Sequence, residues 1–115
     1  MGIGAAIASG TPISKTGRYS GSDTASYHDV ASWTVSTGKI GDLREVALYS
    51  DNLAKTLWRL SIADAEQWTA KTFGGALTIP FHGNQLGEAA VVVLQAKSSD
   101  GTAIVADGAI SGVER

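Results

Sequence analysis

A chain of 115 residues with nine basic and eleven acidic side chains, two histidines and no cysteine has material for one domain. A domain of this size buries roughly two thirds of the surface its unfolded chain exposes, so it needs no staples. The formal charge of −2 gives no field for holding nucleic acid through its phosphates, the missing cysteines remove disulfides and thiolate metal sites, and no apolar run approaches the roughly 20 residues of a membrane span.

In chain order, composition changes near Tyr27. Residues 1–26 are mostly Gly, Ala, Ser and Thr, with isolated Ile3, Ile7, Ile13 and Tyr19, too sparse to close a core. The opening MGIGAAIASG has no basic residue, which disfavours a secretory signal. This segment is predicted to be an extended N-terminal arm that either packs along its own domain or, the preferred reading, lies on a neighbouring subunit. Ile3, Ile7, Ile13 and Tyr19 would be its anchors, and Lys15 and Arg18 its charged partners for an acidic neighbour.

Residues 27–115 are predicted to be an antiparallel β-sandwich. In SYHDVASWTVS, Ala31, Trp33 and Val35 alternate with Ser32 and Thr34, the period of a half-buried strand. LREVALYS puts Val46 and Leu48 on one face and Glu45 on the other, closed by Asp51-Asn52. TLWRLSIA has the cleanest alternation, with Trp58, Leu60 and Ile62 inward and Leu57, Arg59 and Ser61 outward; a short helical turn around Ala63 to Gln67 is the alternative to a continued strand. Gln67 to Thr69 is a short extended piece. ALTIPF alternates Leu77, Ile79 and Phe81, and Pro80 assigns it to an edge or a strand end because it cannot donate to a ladder. His82 to Glu88 then reads as a loop.

Val91 to Leu94 is a β-branched run that marks a central strand. Asp100-Gly101 signals a hairpin into its neighbour, and Asp107-Gly108 a second reversal or bulge, so the C-terminal quarter reads as a small meander. Seven or eight strands from Tyr27, with turn signals every 10 to 15 residues, make the chain an all-β, jelly-roll-like sandwich. Its predicted core is Trp33, Val46, Leu48, Trp58, Leu60, Ile62, Leu77, Ile79, Val92 and Leu94.

The chemistry is sparse. His28 and His82 have no second ligand at metal spacing. His28-Asp29 with Ser26 or Ser32 names the ingredients of a hydrolytic triad, but residues adjacent in one strand do not converge as a triad does, and there is no nucleophile elbow. Asp64 and Glu66 read as solvated acids of a surface turn, and Asp51, Asp100 and Asp107 as turn residues before calcium ligands. No enzyme activity, cofactor or metal is expected. Trp33, Trp58, Trp68 and Tyr49 raise the alternative of a glycan-stacking platform, but Trp33 and Trp58 fall on apolar faces, which leaves Trp68 as the aromatic free for a ligand or partner.

The order Trp33 to Val35, Gly38 to Val46, Ser50 to Asn52, Thr56 to Ile62, Leu77 to Phe81, Ser98 to Thr102 and Asp107 to Gly112 resembles a group of short virion proteins of tailed bacteriophages. That resemblance covers about three quarters of the chain and omits most of the arm. It implies a small jelly-roll-like capsid decoration, or cement, protein on the capsid surface of a virion. The partners it implies are the major capsid protein or other virion proteins, with many copies on one shell or a homo-oligomer, and neither nucleic acid nor membrane. A glycan-binding sandwich is the alternative function.

Overall fold

Strict alternation of buried and half-buried side chains along Thr56–Ile62 is repeated along Val91–Ser98, and these two strands lie side by side in the middle of one sheet. The structure, a computed structural model, describes residues 10–115. Its strands are β1 (Thr11–Gly21), β2 (His28–Thr34), β3 (Gly41–Ser50), β4 (Thr56–Ile62), β5 (Ala65–Lys71), β6 (Leu77–Leu86), β7 (Val91–Ser98) and β8 (Ile104–Glu114), with one 3-10 turn over Leu53–Lys55.

The strands form two four-stranded antiparallel sheets, ordered β1-β8-β3-β6 and β2-β7-β4-β5. Strand pairs β1/β8, β2/β7, β3/β6 and β4/β5 are nested, so the chain is one long hairpin rolled up until its successive pairs fall in alternate sheets. That is the jelly roll. At the tip of the hairpin, Ala63 and Asp64 both have positive φ, 51° and 66°, the backbone of a two-residue type I′ turn. The predicted helical alternative at Ala63 to Gln67 is therefore absent: a tight turn matches the twist of β4 and β5 and leads straight into β5.

Between the sheets lie Trp33, Val46, Leu48, Trp58, Leu60, Ile62, Val92 and Leu94, all buried as expected. Leu43, Leu86, Ile104 and Ile110 join them. Leu77 and Ile79 are only half-buried, because β6 is an edge strand, consistent with Pro80. At the other side the sheets close together, β1 lying against β2. A bulge between Asp29 and Ala31 turns Val30 inward as well as Ala31. A Cβ at Gly17 would overlap the Val30 carbonyl oxygen, and one at Gly108 would sit 2.7 Å from Leu94 Cδ2.

Three expectations are corrected. Residues 11–21, assigned to the arm, are a strand of the sandwich paired with β8 along their whole length. Few apolar side chains suffice there, because an edge strand takes most of its stability from the ladder and here seats only Ile13 and Tyr19 on the core. The C-terminal quarter is not a meander: the turn at Asp100-Gly101 carries the chain across to the opposite sheet, and Asp107-Gly108 lies inside β8 without reversing it. Gly108 serves close packing, not a turn. Most of the expected loop His82 to Glu88 is strand, since β6 runs on to Leu86, with Gly83 at φ +73°.

Candidate functional site

The outward face of the β1-β8-β3-β6 sheet carries a shallow trough of about 650 Å³ that crosses all four strands. Its position follows from register. Gly17 of β1 is paired with Gly108 of β8, and both occupy inward positions where a side chain would otherwise hold the sheets apart. The opposite sheet lies close beneath this row, since a Cβ at Gly17 would meet the Val30 carbonyl and one at Gly108 the Leu94 side chain. Ala109 and Ala47, cross-strand partners, form the floor, with Thr16 and Thr78 at its two ends.

One wall is the row Arg18, Asp107 and Tyr49, consecutive cross-strand partners on β1, β8 and β3. Arg18 Nε donates to Asp107 Oδ1 at 2.6 Å and its Nη2 to Oδ2 at 3.3 Å, the planar fork of an Arg–carboxylate pair. That carboxylate pushes the Arg18 pKa further above its ordinary value, so the guanidinium stays charged. Tyr49 is 50% exposed, an unusual fraction for so large a ring in a core-forming strand. The trough therefore combines an aromatic face, a planar donor and acceptor pair, hydroxyls and a methyl floor, all on rigid strands.

The other face of the sandwich is closed by its own polar contacts. Gln95 accepts from Arg59 Nε at 2.8 Å and donates to Asp29 at 2.8 Å. The ring of Tyr27 lies between Arg59 and Lys97, 4.6 and 4.7 Å from its centroid. At the side where β5 and β6 have no strand neighbour among the described residues, Phe73 meets Trp68 edge-on at 5.5 Å, and both pack on the core.

The residues singled out in the sequence are dispersed by the fold. Ile3 and Ile7 lie outside the described residues. Ile13 and Tyr19 pack on the chain's own core, and Tyr19 stacks on His28 at 4.4 Å with the rings parallel to 2°. Lys15 is exposed on β1. Arg18 pairs with Asp107 of the same chain, because β1 and β8 are in register at that row. Trp68 is half-buried against Phe73, not free-standing.

Each carboxylate weighed as a calcium ligand has a protein partner: Asp51 accepts from Val105 N–H at 2.9 Å, Asp100 pairs with Lys55 at 2.7 Å, and Asp107, in β8 and not in a loop, holds Arg18. His28 is bonded to Asp23 at 2.8 Å, while Asp29 faces Gln95. Among the described residues no group of three His, Cys, Asp or Glu is placed to hold a metal, and no helix is long and apolar enough to cross a membrane.

Sequence reasoning set Tyr49 aside in favour of Trp68, although the phase of Val46 and Leu48 already turns Tyr49 outward. Asp107 was hidden because Asp-Gly was read as a turn. The chain matches no protein-family model and no curated protein.

Proposed function

We propose that the chain is a non-enzymatic structural protein of a virion, a capsid decoration protein that fastens to the major capsid protein or other components of a shell. The observation that carries this reading is the open side of the jelly roll. There, among the described residues, β5 and β6 have free edges, and Trp68 and Phe73 lie half-buried beside them. Free strand edges offer main-chain hydrogen bonds to an added strand, and intermittent apolar side chains set its register. The eight-stranded jelly roll is an architecture that capsid proteins use, and the sequence resemblance points to the same class.

The correction to β1 moves the footing. Residues 11–21 are committed to the chain's own sheet and are not available as a linking arm. The open side then carries more of the attachment.

Co-sedimentation with decoration-free shells of the virus that encodes the chain tests this. Saturable binding that weakens at least tenfold in Trp68→Ala, with its melting temperature checked, supports the reading. No binding of the wild-type chain to such shells overturns it.

A further inference from the structure

We propose that the trough on the outer face of the β1-β8-β3-β6 sheet is a saccharide-binding site, built for a short neutral oligosaccharide lying across the strands over Tyr49. This goes beyond the structural role and does not depend on it.

Four observations point to this ligand class. The Tyr49 ring is half-exposed beside a methyl floor, and the C–H face of a pyranose packs against such a ring, whose face carries the negative side of its quadrupole. Arg18 and Asp107 hold each other by only two hydrogen bonds, while a guanidinium has five N–H donors and a carboxylate about four lone-pair sites. Each keeps capacity for the adjacent hydroxyls of a sugar and is already oriented by the other. Their charges cancel, so the wall selects neither an acidic nor a basic ligand, which sets uronic and sialic acids aside. Finally, the volume of about 650 Å³ falls in the range of small-molecule sites, roughly 300 to 1,000 Å³. Four strands at about 4.8 Å spacing make the trough about 14 Å long.

An extended peptide is the competing occupant, and the floor disfavours it. Ala47 and Ala109 lie on β3 and β8, interior strands whose backbone groups face strand neighbours on both sides. Their main chain has nothing left for the ladder by which extended peptides bind. Side-chain stacking and hydroxyl recognition remain.

The test is titration of the full-length, isotope-labelled chain with neutral hexose and N-acetylhexosamine oligosaccharides, followed by amide NMR. At least one oligosaccharide is expected to shift the amides of Ala47, Tyr49, Asp107 and Ala109. Tyr49→Ala should weaken binding tenfold or more with an unchanged melting temperature, while Tyr49→Phe stays within about threefold because stacking survives. Failure of the whole panel to shift these amides overturns the proposal, as does binding indifferent to Tyr49→Ala. So does displacement of the saccharide's role by a peptide of residues 1–9 that alone perturbs the trough.

Discussion

Trp33 Nε1–H donates to Glu114 Oε2 at 2.8 Å, tying a fully buried indole in β2 to a buried carboxylate at the end of β8 in the opposite sheet. The same oxygen accepts the Ser36 N–H at 3.2 Å, so one side chain closes this end of the sandwich. Trp58, equally buried, has no hydrogen-bond partner for its indole N–H among the described residues. Phenylalanine replacements should separate the two. Trp33→Phe strands the Glu114 carboxylate and is expected to lower the urea midpoint more than Trp58→Phe, which removes an unpaired donor.

Acid should unfold the chain through a few identifiable groups. Hydrogen bonds from Trp33 and Ser36 hold the Glu114 pKa below its ordinary value. The His28 hydrogen bond does the same for Asp23, and the Lys55 ammonium for Asp100. A carboxylate with a depressed folded pKa stabilises fully above its unfolded pKa and loses that contribution as pH falls through the folded one. The urea midpoint should therefore be flat from neutral pH to about 5 and drop below about 4. In Glu114→Gln the drop should be shallower; an unaltered profile would mean the Trp33 contact is not made in solution.

Leu60 is fully buried in β4, opposite Leu94 of β7. Leu60→Ala should cost about 2 to 5 kcal/mol through lost transfer energy and the cavity left behind. Equilibrium denaturation is the check, and a loss below about 0.5 kcal/mol would be incompatible with this core.

Gly108 and Gly74 form a contrast that tests how closely the sheets pack. A Cβ at Gly108 would meet Leu94 and Val30, whereas one at Gly74 meets nothing within 4 Å. Gly108→Ala should cost about 1 to 3 kcal/mol by overpacking, and Gly74→Ala should leave the midpoint nearly unchanged.

The strands of this fold were legible wherever one face is apolar and the other polar. Trp58, Leu60 and Ile62 gave both the strand and its inward face, and Pro80 gave the edge. Local signals failed where glycine serves tertiary packing. Asp107-Gly108 has the residues of a turn, yet Gly108 is small because Leu94 lies under it, a fact that belongs to another strand. Thr11–Gly21 looked like an arm because its partner, β8, is some 90 residues further along the chain. The trough was invisible for the same reason: Arg18, Tyr49 and Asp107 meet only when β1, β8 and β3 are in register.

Because β1 is an edge strand of its own sheet, the alternate backbone amides that face β8 should be protected from hydrogen exchange in the isolated chain at low concentration. Rapid exchange throughout Thr11–Gly21, with protection appearing only in an assembly, would return this segment to the role of a linking arm.

The most direct test of the proposed structural role is whether virus particles purified from the chain's source contain it, measured by quantitative mass spectrometry of their protein composition. The account predicts the chain in many copies per particle and open to labelling from outside at an exposed lysine away from the footing, Lys39. Particles that are complete and infectious yet contain none of it would contradict the account.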